Sequence, residues 1–306
     1  MNVNQNKFRS GYVALLGRPN VGKSSIINAL IKTKVAAVSP KPQTTRNAVR
    51  CIYTAENMQI IFVDTPGVHK PKHALGDFMM HEITESLPNV DVVCFVVEAG
   101  DYSIGSKEQM IIDMLLPLKL PVILAVNKID ILSKTELYTK TSEVYESVIH
   151  PKAVIPVSAI KDVNLADLTA AIRSFLPIQP PIYPEDMIMD STERFLAAEV
   201  IREKIFRLTD DEIPHSVAVL VEEYKTPDEF QQMKTCKIRA TIVVEKAGQK
   251  GIIIGKNGTK IKTIGTLARK ELEKNLGYPV FLELWVKVKP GWRKSPDELR
   301  RLGYCF

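Results

Sequence analysis

The sequence predicts an α/β chain in two parts, a mostly parallel, doubly wound sheet followed by a smaller α+β domain. Three observations predict it. The octapeptide GRPNVGKS at residues 17–24 joins an apolar strand to a helix, four prolines crowd residues 177–184, and Gly255-Lys-Asn-Gly258 interrupts a helical stretch lying between apolar strands. With 306 residues, 45% of them hydrophobic, the chain is long and apolar enough for two cores.

The first strand, residues 12–16, and a helix carrying Ile26, Ile27, Leu30 and Ile31 at helical spacing give the octapeptide the strand-loop-helix setting that a phosphate cradle needs. Gly17 and Gly22 let the main chain turn tightly and approach an anion. Arg18, Pro19, Asn20 and Val21 complete the loop, and the helix N-terminus adds partial positive charge. Lys23 suits the β- and γ-phosphates of a nucleotide, and the Ser24 hydroxyl suits Mg²⁺, which prefers oxygen ligands shared with phosphates. A chance glycine-rich turn is the competing reading, and the flanking strand and helix weaken it.

Residues 33–50, leading to a second strand near residues 49–53, are polar and proline-rich through Ser39-Pro-Lys-Pro-Gln-Thr-Thr-Arg46. They read as a loop that nucleotide state orders or releases. Thr44 or Thr45 would complete the Mg²⁺ shell, with Thr45, beside Arg46, preferred. The buried-looking strand 58–63 ends in Asp64, Thr65, Pro66 and Gly67, where the aspartate suits Mg²⁺ and the Gly67 amide suits a γ-phosphate.

Strand 121–126 ends in Asn127, Lys128, Ile129 and Asp130, and this motif names the base. A carboxylate at Asp130 accepts from both N1–H and the amino group of guanine, whereas adenine would leave it unpaired. Sites built on such pairs reject the wrong analogue by up to about 10⁴–10⁵. The expected ligand is therefore GTP, which disfavours an ATP-dependent kinase. Ser158 and Ala159, after strand 153–157, are expected to offer a backbone N–H to the guanine oxygen.

Composition excludes several classes. Cys51, Cys94, Cys236 and Cys305 are far apart and include no C-x-x-C pair, so neither a zinc site nor a disulfide framework is indicated, and a reducing cytosol fits. Residues 1–10 lack an apolar core, and no apolar run approaches a membrane span. A soluble, cytoplasmic protein is expected, with peripheral contact at the inner membrane face left open.

The prolines divide the chain into expected domains 1–180 and 181–306. Residues 181–233 hold 5 Lys/Arg against 13 Asp/Glu, net −8, whereas residues 234–294 hold 15 against 4, net +11. The second domain reads as helix 193–208, strands 217–224 and 238–245, a helical pair around Gly255, and strand 280–288. At the break, Gly255 and Gly258 let a nucleic-acid backbone pass close. Ile254, Lys256, Asn257, Lys260 and Lys262, with Lys287, Lys289 and Arg293 in a basic tail, supply apolar and phosphate contacts. Ile252, Ile253 and Ile261 are expected to line or support the base groove. Single-stranded RNA is the expected ligand. The alternative is a basic protein-docking face that never touches RNA. Trp285 is expected in the core, and Trp292 either packs or stacks on a base.

The ordered nucleotide motifs, Pro42-Gln-Thr-Thr-Arg46, the prolines and Ile252-Ile-Ile-Gly-Lys-Asn-Gly-Thr-Lys-Ile261 resemble the Era family, bacterial Ras-like GTPases with a C-terminal type II KH domain, over essentially the whole chain. The resemblance implies GTP hydrolysis with Lys23, Thr45, Asp64, Gly67 and Asn20 in catalytic roles. It also implies Mg²⁺ on Ser24, Thr45 and Asp64. The family pattern places the RNA near the 3′ end of small-subunit ribosomal RNA, makes the small subunit the partner, and has GTP state control the grip. A monomer is expected. Val68 stands where Ras-like switches keep a water-orienting glutamine, so slow intrinsic hydrolysis is expected, with K⁺ acting through Asn20 or a ribosomal partner raising it.

Overall fold

The central strands are buried on both faces, as continuous apolar runs in parallel sheets require. In the computed structural model, Val13 to Leu16, Ile60 to Phe62 and Val92 to Val96 have no exposed surface. The structure describes residues 7–39, 41, 43–134, 137–210, 213–230 and 233–304. Residues 1–6, Pro40 and Pro42 of the polar loop, and Cys305 lie outside the described residues. The chain divides into two units, residues 1–38, 45–71 and 79–190, and residues 39–44, 72–78 and 191–306.

Elements β1 (Arg9–Leu16), α1 (Lys23–Ile31), β2 (Val49–Ala55), β3 (Met58–Asp64), α2 (Ala74–Ser86), β4 (Val92–Glu98), α3 (Ser106–Leu115), β5 (Val122–Asn127), α4 (Tyr138–Ile149), β6 (Ala153–Pro156), α5 (Leu165–Phe175) and β7 (Met189–Asp190) precede the second unit's own sheet. The first sheet runs β6-β5-β4-β1-β3-β2-β7. Strand β1 is parallel to β3 and β4, β4 to β5, and β5 to β6, while β2 is antiparallel to both β3 and β7. The strand order reverses beside β1, and ligands of such sheets bind outside the carboxyl ends of the strands at this switch point. The motifs at residues 17–24, 64–67, 127–130 and 158–159 lie at those ends, and the polar loop with Thr45 follows α1.

The prolines end α5, yet the chain beyond them stays on the first sheet. The amides of Ile182 and Tyr183 donate to Gln59 Oε1 at 2.8 and 2.9 Å, and β7 then pairs with β2.

The second unit contains α6 (Glu193–Leu208), α7 (Ile213–Ser216), β8 (Ala218–Lys225), β9 (Cys236–Val244), α8 (Ala247–Ile254), α9 (Thr259–Leu276), β10 (Val280–Val288) and α10 (Pro296–Arg301). Its sheet runs β10-β9-β8, with β9 antiparallel to β8 and parallel to β10. Alternate residues Ile238, Ala240 and Ile242 pack with Ile201, Ile205 and Phe206 of α6 and Ile264 and Ala268 of α9, which covers one sheet face. Helix α6 starts at Thr192, whose hydroxyl accepts from the Phe195 amide at 3.2 Å. Among the described residues no helix is long and apolar enough to cross a membrane.

Candidate functional site

The phosphate loop is built as its glycines require. Gly22 has φ 99°, and a Cβ there would lie 2.2 Å from Asn127 Nδ2. The same amide nitrogen donates to the Val21 carbonyl at 2.7 Å, so the end of β5 is tied directly to the loop. Gly67 is also tightly packed: an added Cβ would meet Pro19 Cα at 2.8 Å. Gly22→Ala should therefore push Asn127 aside as well as strain the turn, weakening guanine-nucleotide affinity by at least about ten-fold. The cost of forcing a positive φ on a non-glycine residue is on the order of 1–3 kcal/mol. Calorimetric titration with GDP checks this, and unchanged affinity would refute the tie.

Lys23 is buried, and its Nζ donates to the carbonyls of Gly17 at 3.0 Å and Arg18 at 3.3 Å. Burial pushes its ammonium down to about 8, with Asp64 acting in the opposite sense. A bound polyphosphate would raise it again by the same Coulombic logic.

Three oxygens converge from α1, the polar loop and the end of β3. The Ser24 hydroxyl donates to Asp64 Oδ2 at 2.7 Å, Thr45 donates to the same oxygen at 3.3 Å, and the two hydroxyls lie 3.2 Å apart. Such a donor set suits a hard, oxygen-seeking cation such as Mg²⁺. The Thr44 hydroxyl instead donates to the Lys41 carbonyl at 2.8 Å. Two contacts absent from the sequence reading pin the ends of the polar loop. Asn28 Oδ1 accepts from the amides of Val35 and Ala36, each at 2.9 Å, and Glu82 accepts from the Ala48 amide at 2.7 Å.

At the base-reading end, the exposed Asp130 accepts from the Ser158 hydroxyl at 2.5 Å, and that hydroxyl accepts from the Lys161 amide at 3.2 Å. Both amides of the dipeptide expected to face the guanine oxygen have acceptors within the protein. The Ser158 amide donates to the Val163 carbonyl and the Ala159 amide to Asn127 Oδ1, both at 3.2 Å. The dipeptide thus holds Asp130 and Asn127 in place, while Ile129 is buried beneath them. Glu98, also unread from sequence, joins loop to base end: its Oε2 lies 3.2 Å from Arg18 and 2.9 Å from Lys128. Its place at the carboxyl end of β4 is the signal that could have flagged it.

Val68 is wholly buried in the first core, so its side chain faces no solvent, whereas Asn20 is exposed at φ 69°.

In the second unit, α8 ends at Gly255 (φ 73°), and Asn257 (φ 52°) and Gly258 (φ 75°) turn the chain into α9. Lys256, Asn257 and Lys262 are exposed there, and Ile254 and Lys260 are half-buried. Beside the loop, Ile261, Lys262, Gly265, Thr266 and Arg269 of α9 and Leu282 and Leu284 of β10 line a groove of about 320 Å³. Ile253 is core and Ile252 is exposed away from this groove, among the lining of a separate hollow with Lys246 and Asp210.

Of the two readings of Trp292 the structure takes the packed one, and it corrects the expectation for Trp285. Trp292 has no exposed surface, stacks on Tyr304 at 6.2 Å and donates its N–H to the Ser216 carbonyl at 3.1 Å, so it cannot meet a base here. Trp285, expected in the core, is 59% exposed. The basic segment is also not a tail. Lys287 lies in β10, Lys289 pairs with Glu298, and Arg293 pairs with Glu245 while donating to the His215 carbonyl, so two of the expected phosphate contacts already carry partners.

Comparison with known proteins gives the same two parts. The family model "50S ribosome-binding GTPase" matches residues 12–128, and the KH domain model matches residues 212–293. GTPase Era of Alkaliphilus oremlandii is 49% identical, covering 97% of this chain and 99% of its own. GTPase Era of Carboxydothermus hydrogenoformans is 46% identical, covering 97% and 98%. Among solved structures, an Aquifex aeolicus Era variant bound to GDP and AlF4⁻ superposes with a TM-score of 0.92 at 41% identity, covering 98% of this chain and 100% of its own. An Era complex with MgGDPNP and nucleotides 1506–1542 of 16S ribosomal RNA matches with the same score, identity and coverage.

Proposed function

This chain belongs to the GTPase Era family and is a GTPase, and from that premise we propose that it is a nucleotide-controlled, RNA-binding switch in small ribosomal subunit maturation. The first unit, which runs to Asp190, binds and hydrolyses GTP, and the second, from Ser191 on, holds single-stranded RNA near the 3′ end of small-subunit ribosomal RNA. The convergence of Ser24, Thr45 and Asp64 beside Lys23 carries the nucleotide half of this reading. The GXXG turn beside the α9–β10 groove supports the RNA half.

Lys23 faces the β- and γ-phosphates, the Gly67 amide the γ-phosphate, and Asp130 the guanine edge. Ser24, Thr45 and Asp64 would hold Mg²⁺, which when bound supplies charge opposite the phosphate oxygens. Because Thr45 lies in the polar loop, loss of the γ-phosphate frees that loop from one of its ties. With valine at position 68, no side chain there orients water, and intrinsic hydrolysis is slow. K⁺ held with the help of Asn20, or a ribosomal partner, raises the rate. The protein acts as a cytoplasmic monomer.

Crosslinking and sequencing of RNA bound in the GTP and GDP states tests the reading. Recovery of the 3′ end of small-subunit ribosomal RNA, at different yield in the two states, is expected. No RNA at low salt in either state would favour the protein-docking reading. Hydrolysis should be faster in K⁺ than in Na⁺ for the natural chain, and Asn20→Ala should erase the difference. If it leaves both rates unchanged, the ion role of Asn20 is wrong.

A further inference from the structure

The helices of the second unit cover one face of its sheet, and the residues that alternate with the core line the other. From β10 these are Phe281, Glu283, Trp285 and Lys287; from β9 they include Lys237, Arg239 and Thr241. In the parallel register Phe281 stands opposite Lys237, Glu283 opposite Arg239, and Trp285 opposite Thr241. Phe281 is 56% and Trp285 59% exposed, which is unusual for two large rings on one strand face.

The charges on this face are layered. Glu223 is only 14% exposed and sits beneath Lys225, Lys237 and Arg239, whose side chains are 45%, 42% and 43% exposed. Glu222 reaches the surface, but it accepts from the Thr241 hydroxyl at 2.9 Å and lies 3.7 Å from Arg239. An approaching ligand therefore meets Lys225, Lys237 and Arg239 together with Glu222, which is 42% exposed, while Glu223 stays beneath them. The Trp285 N–H donates to Glu283 Oε1 at 3.0 Å, which fixes the indole before anything binds. Rings set singly among charged groups differ from the contiguous apolar patch of a protein interface, and they match the aromatic-plus-cation pattern on which successive bases stack.

We propose that this outer sheet face, centred on Trp285 and Phe281 and bordered by Lys237, Arg239 and Lys287, is a second base-stacking platform for single-stranded RNA. The inference rests on the RNA-binding reading above. It adds a surface that the GXXG groove does not contain. Continuity supports it: β10 is an edge strand, with Leu282 and Leu284 in the groove on one side and Phe281 and Trp285 on the other. One RNA strand passing around that edge touches both faces.

The test uses the full chain and two single-stranded RNAs, one of about five nucleotides, enough for the GXXG clamp of about four, and one of about twenty. Trp285→Ala should leave the dissociation constant of the short RNA within about two-fold and weaken the long one about 5- to 100-fold, the range expected for one lost base-stacking ring. Trp285→Phe should recover most of the loss, which separates stacking from misfolding. Lys256→Glu should weaken both RNAs. If Trp285→Ala binds the long RNA like the natural chain, the platform is overturned while the groove stands. If the natural chain binds neither RNA, the RNA reading itself falls and takes the platform with it. If Trp285→Ala binds both RNAs normally but loses affinity for intact small subunits, the occupant is a protein and the proposal is wrong.

Discussion

Lys23→Ala is expected to lower the single-turnover rate of GTP hydrolysis by at least about 10²–10³-fold, the scale for removing one preorganised electrostatic group from a reacting centre. Phosphoryl transfer leaves a protein little to do beyond positioning and charge stabilisation, so a buried ammonium beside the phosphates is among its strongest contributions. The fold should tolerate the change. The variant loses donors to the Gly17 and Arg18 carbonyls, but it is also relieved of burying an ammonium, and these effects oppose each other. Lys23→Arg should not rescue the rate, because a planar guanidinium cannot replace a compact ammonium in a loop packed this closely. Rapid-quench measurement with bound GTP decides the matter, and a rate within three-fold of the natural chain would remove Lys23 from the chemistry.

The second large effect concerns the base. Asp130→Asn should weaken GTP by about 10³-fold or more, since an amide cannot accept from both guanine donors and leaves one of them unpaired beneath the bound base. The same change should strengthen xanthosine triphosphate, which carries a carbonyl where guanine carries its amino group and so accepts from the new amide. The Ser158 hydroxyl can still donate to the asparagine carbonyl, so the side chain keeps its place. Competition against labelled GDP measures both arms. If the variant retains GTP preference, base selection resides elsewhere.

The elements that carry motifs were legible in the sequence, and their supports were not. Strand β1, the loop and α1 announce themselves because glycine, lysine and serine at fixed spacing have few other uses. Helix α6 and strand β10 were read with the bounds the structure shows, since a Thr cap and a long apolar alternation mark them. Strand β4 went unread although it is buried throughout its apolar run, because it bears no motif, and Glu98 was lost with it. Asn28 is a polar residue among the apolar ones of the later part of α1, and its loop-clamping role depends on a chain reversal that spacing does not reveal.

Trp285 was misplaced and Trp292 left open for different reasons. The alternation within β10 puts Trp285 in phase with Phe281, Glu283 and Lys287, opposite the leucines, so strict attention to period two would have exposed it. Burial of Trp292 instead depends on Ser216 and Tyr304, partners that no local pattern indicates.

Closure of the C-terminal segment has a further consequence. Leu299 and Trp292 are fully enclosed and Tyr304 nearly so, and the Lys289 amide is tied to the Val244 carbonyl at 2.7 Å. Positive charge between residues 287 and 294 is accordingly carried on a stiff frame. A loose polycation would trade chain entropy for every phosphate it neutralised and would accept any anionic polymer; here Lys289 and Arg293 are held by Glu298 and Glu245, so an anion would gain them only by displacing a carboxylate from a fixed position.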